Sequence, residues 1–140
     1  MYDKPTLSEL IDAARGHLEA HIIPAIKGDA RLYFQTLVAV NVLKIAEREI
    51  ALHSLHTRAA WSRLNALFYE VASYPEDPQA VEVRLQERDQ RLCNAIRAGE
   101  YDAPERERAL FDHLKALARE GMEVANPKLM ATIDEEERTG

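Results

Sequence analysis

From Leu37 to Ala46 the chain reads LVAVNVLKIA, apolar on almost every side of a helix except at Asn41 and Lys44, and Arg48 and Glu49 follow at once. A surface helix shows one apolar stripe and one polar face, so a segment apolar nearly all round predicts a helix covered by neighbours on several sides. This second helix, capped by Asp29 and running to about His53, is therefore the expected axis of the fold, long, central and buried. A first helix precedes it. Thr6 and Glu9 make a capping-box pattern, Leu7, Ile11, Ala14, Leu18 and Ile22 recur at helical spacing, and Pro24 with Gly28 should kink or stop the helix.

Helical patterns fill the rest of the chain. A third helix places Ala60, Leu64, Leu67, Phe68 and Val71 on one face, with Trp61 at its edge, and stops before the turn SYPEDP at Ser73 to Pro78. Asp77 followed by Pro78 starts a fourth helix that ends near Gly99. Its stripe of Val81, Leu85, Leu92 and Ile96 also holds Arg88, which must either snorkel past the core or pair with an acid inside it. Asp102 and Glu105 around Pro104 repeat the capping-box pattern for a fifth helix, whose inward residues are Leu110, Leu114, Leu117, Ala118 and Ala125. Gly121 lies on that stripe, where close approach of a neighbouring helix would offset its cost. Asn126 and Pro127 restart a short final turn. The pattern predicts an all-α, up-and-down bundle of about five main helices, as one domain over residues 1–133 with an acidic, disordered tail at 134–140.

Composition agrees with a globular domain: 140 residues, 46% hydrophobic and 30% charged, are enough to bury a core without disulfides or metals. With 24 acidic against 18 basic residues the net charge is -6, which argues against sequence-independent binding to nucleic acid or to an anionic membrane. Cys93 is the only cysteine, so no internal disulfide is available. The start MYDKPTLSEL lacks a basic segment followed by an apolar run, and no later stretch is long enough to span a bilayer, so cytoplasm is the expected location.

Polar residues on the apolar helix are the first place to look for chemistry. Asn41 falls on the stripe of Phe34, Leu37, Ile45 and Arg48, and Glu49 on the adjoining stripe with Val38, Val42 and His53. Facing the core, Asn41, Arg48 and Glu49 would make either a buried network that fixes helix register, with Arg88 or Asn126 as partners, or a pocket for a carboxylate, phosphate or amide group. Histidines offer less. His17 and His21 are one turn apart, and Glu49, His53 and His56 share an edge, but bundle metal sites use Glu-x-x-His pairs on two helices, so no metal and no cofactor is expected. Arg48 with His53, and Arg108 with His113, match the R-x4-H spacing of HEPN-type ribonucleases. Glu49 and Ala109 stand where that class carries a polar Asn, Asp or His. The chain has no Gly-rich phosphate loop and no zinc-type Cys/His cluster. Trp61, Tyr33 and Phe34 are candidate interface anchors, with the core the expected place for Phe34.

Four segments carry a family resemblance: P-T-x-x-E-L at Pro5 to Leu10, V-A-x-N-V-L-x-I-x-x-R-E at Val38 to Glu49, L-x-x-x-I-R-A-G at Leu92 to Gly99, and V-A-N-P-K at Val124 to Lys128. Val40 departs from the pattern, which tends to have alanine there. The chain resembles a family of small, uncharacterised all-helical bacterial proteins found beside or joined to kinases similar to aminoglycoside and choline phosphotransferases, often with acyl-CoA dehydrogenases nearby. The resemblance implies association with a kinase or with acyl-CoA metabolism and brings no catalytic residues. The expected role is that of a non-catalytic accessory or regulatory protein, self-associating as a homo-oligomer through an exposed apolar margin. The alternatives are a small-ligand binder or enzyme acting on an acyl-CoA-like or phosphorylated compound, and a HEPN-type ribonuclease.

Overall fold

A computed structural model describes residues 4–139 of the chain, and among them there are helices and no strand, as the periodicity predicts for an all-α bundle. Residues 1–3 and Gly140, at the ends of the expected domain and tail, lie outside this range. The chain divides into two compact units, one ending at His53 and the other beginning at Ser54.

Helix α1 (Leu7–His17) starts at the expected capping box: Thr6 Oγ1 accepts from Glu9 N at 3.2 Å, and Thr6 N donates to Glu9 Oε2 at 2.7 Å. The backbone donor of Thr6 holds the Glu9 carboxyl below its ordinary pKa. The helix passes into a π-helical turn, Leu18–Ile22, and ends in the short turn Ile23–Ala25. Such a wide turn keeps the carbonyl four residues back from Pro24 clear of its ring.

Helix α2 (Ala30–Phe68) is one uninterrupted element of 39 residues, where two helices are expected, the first ending near His53 and the second carrying Ala60, with the run HSLHTR between them. That run contains neither glycine nor proline, and a helix once nucleated propagates through merely weak formers. Asp29 caps it, Oδ1 accepting from Leu32 N at 3.0 Å. Its first half is not the covered axis that the apolar run implies. In the first unit Val40 is the one buried apolar side chain among the described residues, whereas Phe34, Val38 and Val42 are 66%, 47% and 56% exposed. The inward side bears ion pairs to α1 and to the π-helical turn after it: Arg15 to Glu47 at 2.9 Å and Lys44 to Glu19 at 2.7 Å. One partner helix covers one side of a helix, and the opposite side stays open.

The second unit holds the core. Leu64 is fully buried and packs with Leu67, Leu92, Ala95 and Tyr101, flanked by Phe68, Leu85 and Leu110. Helix α2 ends at Phe68, so Val71, expected on its inner face, lies in extended chain and is fully exposed. Trp61 is buried, not at an edge. Helix α3 (Pro78–Arg97) is capped by Asp77 as expected. It closes in a Schellman motif, with Gly99 N on Ile96 O at 3.0 Å, Glu100 N on Ala95 O at 3.1 Å and Gly99 at φ 79°.

Helix α4 (Pro104–Ala125) begins after Ala103, not Asp102, because Pro104 takes the first helical position and leaves the aspartate one residue too early to cap. Its buried residues are His113 and Val124, while Leu114, Leu117, Ala118 and Ala125 are exposed. The inward face is rotated from the purely apolar stripe because a polar cluster, described below, packs inside. Gly121 has no atom within 4 Å of the point where a Cβ would stand, so no close helix approach explains it. Helix α5 (Pro127–Thr139) runs through the segment expected to be a solvated tail. Arg119 pairs with Asp134, and Lys115 with Glu137 at 3.0 Å, tying that acidic run to α4.

Candidate functional site

The second unit concentrates its polar chemistry around Arg88. Helix α2 supplies Trp61 and Asn65 one turn apart, α3 supplies Arg88, and the extended chain between these helices supplies Glu70 and Ala72. Tyr69 ends α2 in the left-handed region at φ 55°, with Tyr69 N on Ala66 O and Glu70 N on Asn65 O at 2.9 Å. This sharp end turns the chain back over the helix. The Ala72 carbonyl then accepts from both Trp61 Nε1 at 2.8 Å and Asn65 Nδ2 at 3.0 Å, and Tyr74 stands edge-on to Trp61 with ring centroids 5.8 Å apart.

Arg88 is 9% exposed. Its Nη2 donates to Asn65 Oδ1 at 2.8 Å and lies 3.7 Å from Glu70 Oε2, while the guanidinium carbon sits 4.4 Å from the centroid of Trp61 and 5.6 Å from that of Phe68. Nε and Nη1 are buried without a hydrogen-bond partner. The aromatic faces replace part of what water would give a cation, yet burial still pulls the guanidinium pKa below its ordinary value, with Glu70 opposing and Arg91 assisting. Beside it opens a groove of about 670 Å³, with Trp61, Ala80 and Val83 as its apolar lining and Asp77, Arg84 and Glu87 among its charges. Its charged groups are carboxylates and guanidiniums, which suit recognition of a complementary charged surface.

A second polar cluster is closed. Arg63 makes a two-pronged pair with Glu120, Nη1 and Nη2 donating at 2.8 and 2.7 Å, and its Nε donates to His113 Nδ1 at 3.3 Å. His113 is 2% exposed, and its Nε2 has no partner. An Nδ1 that accepts places the imidazole proton on Nε2. Burial first, and the Arg63 charge second, hold the His113 pKa below its ordinary value, so the ring is neutral.

The residues singled out from sequence occupy separate settings. Asn41 is exposed on α2, Arg48 is half-buried on the same face, and Glu49 is exposed with Oε1 3.4 Å from His53 Nδ1; the buried position expected for Asn41 and Glu49 fails because α1 covers only the other side of the helix. Of the five residues proposed for a polar network, Asn41, Arg48, Glu49, Arg88 and Asn126, Arg88 alone is buried, and its acid is Glu70. Asn126 caps α5, Oδ1 accepting from Leu129 N at 3.2 Å. The His17 and His21 rings lie 5.3 Å apart, and among the described residues no three His, Cys, Asp or Glu side chains converge as a metal site. Of the two R-x4-H pairs, Arg108 is exposed while His113 is closed in with Arg63.

Asn65, Glu70, Arg63 and Glu120 escape sequence reading, which picks out Trp61 only as an interface anchor. Trp61 and Asn65 at i, i+4 are a faint signal, but Glu70 comes to Arg88 only through the left-handed turn at Tyr69, which a tyrosine does not announce. Among the described residues no helix is long and apolar enough to cross a membrane. No curated protein and no solved structure matches the chain. Residues 24–129 match the family model described as a domain of unknown function (DUF6285), and the chain belongs to that family.

Proposed function

We propose that this protein is a cytoplasmic, non-catalytic accessory or regulatory partner of a metabolic enzyme, either a phosphotransferase-like kinase or an acyl-CoA dehydrogenase, and that it meets that enzyme at the groove beside Arg88. The reading is carried by the make-up of that groove. A buried tryptophan and arginine at the base, small apolar residues around them and opposite charges at the rim are the anatomy of a protein contact, in which Trp and Arg supply most of the energy and the rim sets register. The choice of enzyme classes comes from the resemblance of the four sequence segments. Native mass spectrometry of the untagged protein, purified gently from its own cells, tests the idea. A retained kinase or dehydrogenase subunit that is lost on Val83→Asp, with the melting temperature kept, is the expected result; retention of the same subunit by that variant refutes the groove.

One observation favours a second reading, a binder of an acyl-CoA-like or phosphorylated compound: the two unpartnered donors of Arg88. An oxygen anion reaching either edge of the guanidinium would satisfy one of them. Titration of the protein with inorganic phosphate or coenzyme A, followed by thermal melting, decides it. A saturable rise that disappears in Arg88→Met supports a ligand site, and an unchanged melt up to millimolar ligand refutes it.

A further inference from the structure

The first unit carries an uncovered apolar face on α2, directed away from α1. Phe34, Leu37, Val38, Val42 and Ile45 lie on it, with Asn41 in the middle. The opposite side of the same helix, bearing Thr36, Val40 and Glu47, is the one turned to α1. A hairpin of two helices with a single buried apolar residue among its described residues has no core of its own. We infer that this face takes a second copy of the chain, with the two α2 helices antiparallel about a two-fold axis at Asn41.

Three features argue for a copy of this chain and for that orientation. An apolar face interrupted by one amide is self-complementary when the axis passes through the amide: Asn41 meets Asn41 of the other copy, each carboxamide donating and accepting, while Leu37 faces Ile45 at both ends. A lone asparagine in an apolar seam fixes register in this way. Charge agrees, since Arg31 and Glu49 are both exposed, eighteen residues and thus about five full turns apart on one edge of the helix. An antiparallel copy brings Glu49 towards Arg31 at both ends, whereas in a parallel copy this edge of each helix falls on opposite sides of the seam and the two residues do not meet. The size also fits. From Phe34 to Leu52 the seam is about 27 Å long and one helix wide, roughly 500 Å² per copy, which is the lower end of specific interfaces, where weak associations sit. The inference makes no use of the Arg88 groove, so either can fail alone.

Sedimentation equilibrium of the full chain from about 1 to 200 μM tests it. The expected result is a mass that rises from one chain to two. Val38→Asp, a change at an exposed site, should hold the chain at the mass of a monomer, with association weakened at least about a hundredfold by burial of two unpaired carboxylates. Arg31→Glu should weaken association by roughly tenfold, and Arg31→Glu with Glu49→Arg should restore it. A circular dichroism spectrum like that of the wild type shows each variant to be folded. A wild-type chain that stays monomeric at the highest concentration, or a Val38→Asp chain that still dimerises, overturns the face. A dimer indifferent to Arg31→Glu overturns the antiparallel orientation.

Discussion

Replacing Arg88 by alanine and by methionine separates what its packing does from what its charge does. Alanine leaves the Asn65 carbonyl oxygen, 2.8 Å from Nη2, without its donor, a loss of about 1–3 kcal/mol. It also removes the guanidinium from the Trp61 ring, about 1–2 kcal/mol at a desolvated site, and empties the space of a buried stem. Release of the two unpartnered donors, Nε and Nη1, offsets part of this. The net expectation is a loss of about 3 kcal/mol. Methionine refills the stem and ends the desolvation of the charge, so Arg88→Met should fall within about 1 kcal/mol of the wild type. Urea denaturation read by fluorescence suits the comparison, because Trp61 is the only tryptophan and touches the site. Arg88→Ala within about 0.5 kcal/mol of wild type refutes the burial argument. Arg88→Met as damaging as Arg88→Ala shows that the attraction to Glu70, at 3.7 Å, outweighs the packing.

Two further sites give opposite outcomes from one substitution type, checked by thermal melting. Gly121→Ala should raise stability by up to about 1 kcal/mol, since nothing lies within 4 Å of the added methyl, whereas Gly99→Ala should lower it by about 1–2 kcal/mol, because φ is 79° and the new Cβ would meet Asp102 Oδ2 at 2.9 Å. His113 predicts a pH dependence. Unfolded, its imidazole binds a proton as pH falls through about 6.5, but in the folded protein burial and Arg63 hold the pKa lower. The unfolded state then carries the extra proton, so stability is complete above this value and falls below it, by at most about 1.4 kcal/mol per pH unit until the lowered folded pKa is reached. Urea midpoints measured from pH 7 to about 5 should show this slope in the wild type and a shallower one in His113→Gln; equal slopes refute a neutral buried ring.

The one-dimensional pattern determined the helical class, the caps at Thr6, Asp29 and Asp77, and the glycine stop at Gly99, because each depends on residues within about a turn of one another. It also revealed that Arg88 sits on an apolar stripe and therefore needs company. Periodicity cannot say what covers a face. The run Leu37 to Ala46 is apolar on most sides, yet one side packs on α1 and the other stands open, since only the path of the chain decides which neighbours arrive. The same limit explains the inner side of α4: Leu114 and Leu117 look like core until His113 and Glu120 are found closing on Arg63, and the sequence separation between these partners leaves no local trace. Glu70 reaches Arg88 because Tyr69 adopts a left-handed turn closed by backbone bonds to Ala66 and Asn65, a conformation that the residue type does not announce. The folding of each helix is thus a local matter of capping and spacing, while the identity of the buried polar groups was decided by the tertiary structure, in which desolvation favours pairing with whatever partner the fold brings near, as Arg88 with Asn65 and Arg63 with Glu120.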